Sequence, residues 1–407
     1  MKLNKLSQRG MRDILPEEME IRNYLLEEIK KTYTLFGFCQ IETPCIEDIK
    51  NLTGNQGGEN EKMIFRILKR GGKLDINNVS TVEEIIDCGL RYDLTVPLSR
   101  YFVNNMEMLI NPFKSLQIGN VWRAERPQKG RFRQFLQCDI DIIGEKSNIA
   151  EIELIAATDF LLKRLDIPEY KILINDKRIL IALTLSVGFK EEEIEKVLIC
   201  IDKLEKIGFD NVKKELEDLK MGTTRIEHLL NILKCDDKNV SEFAKRIDCQ
   251  FLDSNIITNL ESIIEMSKNI NGVKIEFTPT LVRGMSYYTG PVFEVKVEGY
   301  TYSVAGGGRY DEMIGLFSKN SIPACGFSIG FERIIQILKE NNFRNKVSEK
   351  KVALLTNCGN DKNELLKKAR ELRLQGKNVS VFLKSKNYRF QKEILEKKGY
   401  DIIRIDY

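Results

Sequence analysis

The sequence contains almost no histidine, since His228 is the only one among 407 residues. The nine cysteines form no Cys-x-x-Cys pair, so their spacing predicts neither a zinc site nor a disulfide framework. Apolar residues recur around His228 at helical spacing, which favours a position on a helix surface over a catalytic role. No serine-histidine or cysteine-histidine arrangement for nucleophilic catalysis is therefore indicated.

Long hydrophobic runs are missing as well. The longest uncharged apolar run, Ile179 to Phe189, is too short to span a bilayer, and no signal-peptide pattern opens the sequence. With 42% hydrophobic and 30% charged residues, the composition is that of a globular protein long enough for two or three domains. We therefore expect a cytoplasmic protein with no membrane partner.

Charge is unevenly distributed along the chain. Residues 351–407 carry 14 Lys and Arg against 7 Asp and Glu, a net charge of +7, whereas the whole chain has +4. Such a segment is a candidate for binding a polyanion. A solvated, lysine-rich surface accounts equally well for the charge taken alone.

Hydrophobic periodicity predicts a mixture of helices and strands. An amphipathic helix is expected from Glu17 to Phe36, with Gly37 as its stop signal. Antiparallel strands are expected from Ser115 to Arg123 and from Gln137 to Ile143, and a further helix from Phe327 to Lys339.

Three later segments differ in character. Residues 176–268 are helical and charge-dense, which predicts an inserted helical subdomain. Residues 341–350 are polar and predict a linker. Residues 351–407 alternate strand and helix patterns as β-α-β-α-β, which predicts a small parallel α/β domain.

The densest functional pattern is VWRAERPQKGRFRQFLQCDIDIIG, which runs from Val121 to Gly144. Five basic residues lie within eleven positions, and Glu125, Asp139 and Asp141 are interspersed with them. Guanidinium groups bind phosphoryl oxygens bidentately, while a carboxylate can accept from a base amine, so the run suits a triphosphate. An exposed hairpin with a basic tip is the alternative.

A second cluster, LVRGMSYYTGPVFE, begins at Leu281 and is followed by AGGGRYD from Ala305. Arg283 beside two tyrosines and several glycines is typical of backbone close to a ligand. Paired tyrosines on a strand are, however, more often divided between core and surface. The glycines from Gly306 to Gly308 match neither a P-loop nor a dinucleotide fingerprint, because the required spacing and following helix are absent.

Taken in order, these runs resemble the histidyl-tRNA synthetases, a family of class II aminoacyl-tRNA synthetases. The RAE, GRFRQF and QCDID segments resemble motif 2, LVRGMSYYTG resembles the histidine-specific signature, and CGFSIGFERI resembles motif 3. Pro44 stands where the family has its motif 1 proline, and the opening RGMRDILPEE is similar too. A series of matches in the right order is far more specific than any one of them.

The resemblance implies an α+β fold class, with a class II antiparallel sheet flanked by helices, a helical insertion and a small C-terminal α/β domain. Residues 1–175 and 269–340 would form a catalytic domain that activates histidine and dimerises. Residues 176–268 would grip the acceptor arm of tRNA, and residues 351–407 would be a shortened anticodon-binding domain, in agreement with its charge.

The implied activity is that of a ligase in protein biosynthesis. It joins L-histidine to tRNA(His) through histidyl-adenylate and releases pyrophosphate and AMP. Arg123 and Arg283 would hold the histidine carboxylate and the α-phosphate, and Glu125 would meet the adenine edge. Arg131 and Arg333 would clamp the outer phosphates of ATP, with Mg²⁺ neutralising the pyrophosphate.

The resemblance also implies a histidine pocket. Asp93 and Thr95 would contact the α-ammonium group, and Gln137 would complete that shell. Asp141 and Tyr287 would read the two imidazole nitrogens, because a substrate without those nitrogens leaves both groups buried and unpaired.

Tyr288 would line the same pocket. Strand alternation would place it on the face opposite Tyr287, however, and counts against that role.

Two departures from the family pattern leave rival functions open. Gly284-Met285-Ser286 stands where the family commonly has Gly-Leu-Asp, and the sequence stops after residues 401–407, where the family's anticodon domain continues. One rival is a synthetase-like paralogue that binds histidine without charging tRNA, such as the regulatory subunit of ATP phosphoribosyltransferase. The second rival is a histidine-activating enzyme that would pass the adenylate to an acceptor other than tRNA.

Overall fold

The chain divides into two compact units, one formed by Met1–Ile14 and Leu25–Ile337, the other by Leu15–Tyr24 and Leu338–Tyr407. The expected linker and the Gly284-Met285-Ser286 departure lie outside the part of the chain that the structure describes, apart from residue 341. The computed structural model describes residues 3–53, 61–74, 79–127, 130–235, 237–283, 287–341, 351–357 and 362–405. No helix in these ranges is both long and apolar enough to cross a membrane.

The elements are numbered in chain order. The first are α1 (Pro16–Leu35), β1 (Cys39–Ile41), β2 (Ile46–Asp48), α2 (Ile49–Thr53), β3 (Arg66–Leu68), β4 (Ile86–Leu90), α3 (Thr95–Asn105), β5 (Phe113–Trp122), β6 (Gln134–Ile143), α4 (Ile149–Arg164) and β7 (Tyr170–Asp176). The helical segment follows as α5 (Lys177–Ser186), α6 (Glu191–Ile201), α7 (Leu204–Asp218), α8 (Thr223–Leu233), α9 (Val240–Ala244) and α10 (Ser254–Asn271). The remainder are β8 (Ile275–Phe277), β9 (Pro291–Val297), β10 (Ser303–Arg309), β11 (Ala324–Ile329), α11 (Phe331–Glu340), β12 (Lys351–Thr356), α12 (Lys362–Leu374), β13 (Asn378–Leu383), α13 (Tyr388–Lys397) and β14 (Tyr400–Ile405).

An eight-stranded sheet forms the centre of the first unit, in the order β1-β5-β6-β11-β10-β9-β7-β8. Its pairs are antiparallel except at the two edges, where β1 runs parallel to β5 and β8 runs parallel to β7. The expected antiparallel sheet flanked by helices is therefore confirmed.

The side chains of strand β6 alternate between the two faces of this sheet. Cys138, Ile140 and Ile142 are buried on the face against which α4 packs. Because side chains alternate along a strand, the polar residues between them point to the other face. Glu28 of α1 accepts a hydrogen bond at 2.8 Å from Arg164 of α4, which ties the two covering helices together.

A buried ion pair joins the sheet to α4. Arg309, at the end of β10, donates to both carboxylate oxygens of Glu151 at 2.6 and 2.8 Å. It also donates to the backbone carbonyls of Glu145 and Ser147 and to Asp311. A bidentate pair with its other donors satisfied repays the desolvation of two buried charges.

A second, smaller sheet in the order β2-β4-β3 was not predicted from the sequence. Its strands are short, and Arg100 of α3 fastens it by donating to both oxygens of Glu47 in β2, at 3.0 and 2.8 Å. The ion pair thus joins the small sheet to the middle of α3.

In the helical segment between β7 and β8, capping residues mark where helices begin and end. Asp253 accepts from the backbone N–H of Asn255 at the start of α10, and Gly272 ends that helix in the left-handed conformation with φ 61°. His228 is exposed on α8, as its pattern predicted.

The second unit contains a three-stranded parallel sheet in the order β13-β12-β14, which confirms the β-α-β-α-β prediction. Its central strand is buried on both faces, as expected for a parallel sheet. Val352 and Leu354 pack with α12, whereas Ala353 and Leu355 pack with Leu395 of α13.

Other element predictions were confirmed with one exception. Helix α1 and strands β5 and β6 lie where expected, although β6 begins at Gln134, three residues early. The helix predicted from Phe327 to Lys339 is present, but its predicted start was wrong, because Ala324–Ile329 is the strand β11 and the helix begins only at Phe331. Apolar residues in this run suit a sheet interior as well as a helix, so periodicity could not separate the two.

Replacing Glu151 by alanine should leave Arg309 as an uncompensated buried charge. We expect the free energy of unfolding of the first unit to fall by about 3–5 kcal/mol. Trp122, the only tryptophan, lies in this unit, so urea unfolding followed by its fluorescence reports the change. Glu192→Ala, which alters an exposed side chain of α6, is the matched control and should shift the value by less than about 0.5 kcal/mol. An equal decrease in the free energy of unfolding for Glu151→Ala and Glu192→Ala would show that the pair of Arg309 and Glu151 does not stabilise the fold.

Candidate active site

The polar face of the main sheet forms the floor of a cleft of about 1090 Å³. Residues from distant parts of the sequence meet there, because β6, β9, β10 and β11 are neighbours in the sheet. The cleft is lined by every site residue predicted from the sequence: Asp93, Thr95, Arg123, Glu125, Arg131, Gln137, Asp141, Arg283, Tyr287, Tyr288 and Arg333.

One row across the sheet floor runs from Asp139 through Ser328 and Gly306 to Glu294. Arg283 lies above the glycine, since a Cβ added to Gly306 would come within 2.4 Å of its Nη1 atom. The same Nη1 donates to Glu294 Oε2 at 3.3 Å. Glycine at this position therefore provides the space for the guanidinium, and the carboxylate orients it.

The next row carries Asp141 beside Gly326 of β11. A Cβ at Gly326 would approach Asp141 Oδ1 to 2.0 Å, so glycine again makes room for a charged side chain. Tyr310 holds the carboxylate from the side, because its hydroxyl donates to the same oxygen at 2.6 Å.

Basic groups gather at the other end of the cleft. Arg333 donates to the backbone oxygen of Ser303 and, at 3.2 Å, to its hydroxyl. Burial, and then the guanidinium groups of Arg131 and Arg283, lower the pKa of Arg333. Three mutually repelling cations in one cleft indicate an anionic ligand that compensates them.

Arg123 is held by a different set of contacts. Its guanidinium lies 4.3 Å from the ring centroid of Tyr92 and 5.1 Å from that of Phe135, and its Nε donates to the Tyr92 carbonyl at 3.2 Å. Stacking between two rings fixes the plane of the guanidinium before any ligand binds. Glu125 lies nearby, with its carboxylate 3.6 Å from Arg131 Nη1.

Tyr287 and Tyr288 both line the cleft, although strand alternation placed them on opposite faces. They precede β9, which begins at Pro291, so the period-two rule does not apply to them. Their ring centroids lie 5.0 Å apart in an edge-to-face arrangement, and Tyr287 makes a similar contact with Tyr310 at 5.9 Å.

Asp93 lines the cleft and also accepts hydrogen bonds from the backbone. Its Oδ1 accepts from the backbone N–H groups of Thr95 and Val96, both at 3.1 Å, at the start of α3. The helix therefore fixes where this carboxylate stands.

Three buried acceptor atoms of β6 have no hydrogen-bond partner among the described residues: Gln137 Oε1, Asp139 Oδ1 and Asp141 Oδ2. Buried acceptors without partners are rare, because each costs the desolvation of that group. All three residues face the cleft, so a ligand carrying N–H donors would complete their hydrogen bonding.

The floor is acidic, and burial suppresses its ionisation. Burial raises the pKa of Asp139 to about 7, with the charge of Asp93 adding to the effect and a hydrogen bond with Ser328 opposing it. Burial, and then Asp139, raises the pKa of Asp141 well above its usual range. A cationic ligand would reverse both effects.

Sequence reasoning missed several residues that complete the cleft. Asp139, Glu294 and Tyr310 belong to runs that were singled out, yet no role was assigned to them. The signal for Asp139 was available, because residues 137, 139 and 141 share one face of any strand. The pairings of Tyr310 with Asp141 and of Glu294 with Arg283 depend on long-range register, which the sequence does not display.

The helical segment supplies one wall of the cleft through residues such as Asp202 and Phe209. Lys296 of β9 makes an ion pair with Glu205 at the start of α7, which joins this wall to the sheet. Among the described residues no group of three or more His, Cys, Asp or Glu side chains is arranged to hold a metal ion.

Comparison with known proteins agrees with this geometry. The family model described as histidyl-tRNA synthetase matches residues 10–334. A curated histidine–tRNA ligase of Leifsonia xyli subsp. xyli is 44% identical over 345 residues, which cover 81% of this chain and 79% of the relative. The chain belongs to the histidyl-tRNA synthetase family.

Solved structures place this family member in the same fold. A crystal structure of histidyl-tRNA synthetase from Nostoc sp. is similar with a TM-score of 0.77 at 27% identity, over 99% of this chain and 92% of that one. The structure of an ATP phosphoribosyltransferase regulatory subunit/histidyl-tRNA synthetase from Bacillus halodurans gives 0.78 over 100% of both chains. At 22% identity, that second likeness concerns the fold alone.

The raised pKa of Asp139 makes stability depend on pH. Between about pH 4 and pH 7 the folded protein keeps this proton while the unfolded chain releases it, so the free energy of unfolding falls as pH rises, by up to about 1.4 kcal/mol per unit. Asp139→Asn should make this slope shallower, because only the contribution of Asp141 then remains, as measured by urea unfolding followed through Trp122 fluorescence. Asp210→Asn, on the exposed face of α7, should keep it. A slope as steep in Asp139→Asn as in the wild type would contradict the assignment.

Proposed function

We propose that this protein is a histidine–tRNA ligase, which activates L-histidine with ATP and transfers it to tRNA(His). The observation that carries the proposal is one cleft with a cluster of arginines at one end and unpartnered buried acceptors at the other. The first end suits a polyphosphate and the second suits a cationic, N–H-bearing amino acid. The family of the chain connects the two ends in a single reaction.

The amino-acid end is assigned by the groups that it offers. Asp141 would accept from one imidazole N–H, and a tyrosine hydroxyl would meet the second ring nitrogen; Tyr287 and Tyr288 are the candidates. Asp93, Thr95 and Gln137 would surround the α-ammonium group. A substrate without these nitrogens would leave buried acceptors unpaired, which costs far more than a lost apolar contact.

The nucleotide end follows from the arginines. Arg131 and Arg333 would bind the outer phosphates of ATP, and Glu125 would accept from the adenine amine. Arg123 and Arg283 would lie between the two substrates, where the histidine carboxylate meets the α-phosphate. Mg²⁺ would enter with ATP, since this ion is commonly held by substrate phosphates with few protein ligands.

The chemistry requires charge stabilisation rather than a protein nucleophile. The histidine carboxylate attacks the α-phosphorus, pyrophosphate leaves, and negative charge grows on the non-bridging oxygens. Guanidinium groups already fixed by Glu294, Tyr92 and Phe135 stabilise that charge without reorganising. A hydroxyl group at the end of tRNA then attacks the carbonyl carbon of the adenylate and AMP leaves.

Further parts of the proposal concern tRNA and assembly. The basic residues 351–407 would contact the anticodon arm, and residues 176–268 the acceptor arm. The catalytic domain would pair with a second copy, and the enzyme would work in the cytoplasm.

The alternative of a regulatory subunit rests on likeness of fold. A protein that only senses histidine has no use for a triphosphate clamp, and the cleft contains Arg131 and Arg333 beside Arg283. The cation cluster therefore favours the ligase.

The deciding experiment is transfer of labelled histidine to total tRNA, run beside histidine-dependent ATP–pyrophosphate exchange. Both activities are expected. Exchange without charging would indicate a histidine-activating enzyme with another acceptor, and absence of both would favour the sensor.

Arg283→Ala should reduce histidine-dependent pyrophosphate exchange by roughly 10²-fold or more, because it removes a preorganised positive charge at the reacting phosphorus. Thermal unfolding should confirm that the variant is folded. Arg66→Ala, on the small sheet and outside the cleft, is the control and should retain exchange. Near-normal exchange by Arg283→Ala would refute the assignment.

Asp141→Asn should weaken the use of histidine by about 10- to 100-fold while leaving the KM for ATP nearly unchanged, because an amide group replaces the Oδ2 acceptor that would meet the imidazole N–H. An asparagine oxygen can still accept from the Tyr310 hydroxyl, so the local structure is preserved. The two KM values from exchange kinetics test this. Equal losses for both substrates would mean that Asp141 is structural.

A further inference from the structure

Asp139 is a buried acidic residue of the cleft floor to which the proposed reaction has so far assigned no task. It is 5% exposed and lies on β6 between Gln137 and Asp141, on the same face of the strand. Its neighbours across the sheet are Gln117 on β5 and Ser328 on β11. A carboxylate at the centre of a sheet requires hydrogen-bond donors around it.

The Ser328 hydroxyl hydrogen-bonds to the Asp139 carboxyl group, whereas other nearby donors are directed elsewhere. Gln117 donates to the Leu94 carbonyl at 3.0 Å, and Gln137 donates to Ser328 Oγ at 3.1 Å. Arg123 donates to the Tyr92 carbonyl. Asp139 Oδ1 is consequently left without a partner among the described residues, although it is buried and faces the cleft.

Charges around Asp139 come from several elements. Asp93, just before α3, raises its pKa, whereas Arg123, just after β5, and Arg91, just after β4, lower it. On the remaining sides lie Asp141 of the same strand and the tyrosines at 287 and 288. Asp93 and Asp139 both line the cleft, and the charge of Asp93 raises the pKa of Asp139.

In the proposed function, Asp93 is one of the residues that surround the α-ammonium group of the substrate. An ammonium group has three N–H donors directed as a tetrahedron, and an acceptor at each corner satisfies it. Asp93 lines the same cleft with a carboxylate that also accepts from the start of α3, and Gln137 Oε1 and Asp139 Oδ1 have no partner in the part of the chain that the structure describes. Asp93, Gln137 and Asp139 together provide the three acceptors.

We propose that Asp139 is a further histidine-binding residue, whose Oδ1 accepts a hydrogen bond from the α-ammonium group of L-histidine. This inference rests on the proposed function, since it names an additional group in the same pocket. It assigns the ammonium to two carboxylates rather than one, so the site selects strongly against a substrate that lacks the amino group.

A proton is coupled to this contact. In the empty cleft, burial keeps the Asp139 carboxyl largely protonated below about pH 6, and an arriving ammonium favours the ionised form. Histidine binding near pH 6 should therefore release up to about one proton from the protein. Asp139→Asn should release fewer.

The test compares two ligands by calorimetry on the whole protein: L-histidine, and 3-(imidazol-4-yl)propionate, which retains the ring and carboxylate but has no amino group. Asp139→Asn should bind L-histidine about 10- to 100-fold more weakly than the wild type. It should bind the propionate within about 2-fold of the wild type.

Two further variants test whether the loss of histidine affinity comes from removing the Asp139 carboxylate. Asp139→Ser removes the carboxylate with a smaller group and should show the same selective loss. Asp159→Asn alters a buried aspartate of α4 outside the cleft, where the Tyr170 hydroxyl donates at 2.8 Å, and should leave both affinities unchanged.

The outcomes are distinct. Equal weakening for both ligands would overturn the inference and make Asp139 structural, as would unchanged histidine binding by Asp139→Asn. If the wild type bound no histidine and catalysed no exchange, the proposed function itself would fail. Selective loss for L-histidine, with less proton release, supports the assignment.

Discussion

The register between β6 and β11 is the constraint on which the cleft depends. It sets Gly326 opposite Asp141 and Ser328 opposite Asp139, so each carboxylate meets a residue small enough to leave room for it. A slip of one residue would turn Gln137 and the aspartates toward α4 and bring Cys138, Ile140 and Ile142 into the cleft. The pairing of β6 with β11 therefore determines both which side chains lie in the core and which line the cleft.

Electrostatics adds a second requirement. The floor holds buried carboxylates and the far end holds guanidinium groups, and neither set is fully compensated within the protein. Groups arranged in this way cost stability, and they repay it only when a ligand of complementary charge enters. Arg309 and Glu151 contrast with them, because that pair is buried, bidentate and complete, and it serves the fold rather than the ligand.

Much of this site could be predicted from residue order alone. The arginines of motif 2 and the RGMSYY segment identified the family, and the period-two pattern of QCDID placed its acidic residues on one face. What failed were features decided by tertiary pairing. The strand at Phe327 has an apolar pattern that also fits a helix, and the two tyrosines escape strand alternation because β9 starts after them. The small sheet consists of strands of three to five residues, too short to give a periodic signal.

His228 lies exposed on α8 and lines no part of the cleft. Because these 407 residues contain no other histidine, translating them consumes a single charged tRNA(His). An enzyme that supplies this tRNA then draws almost nothing from its own product pool.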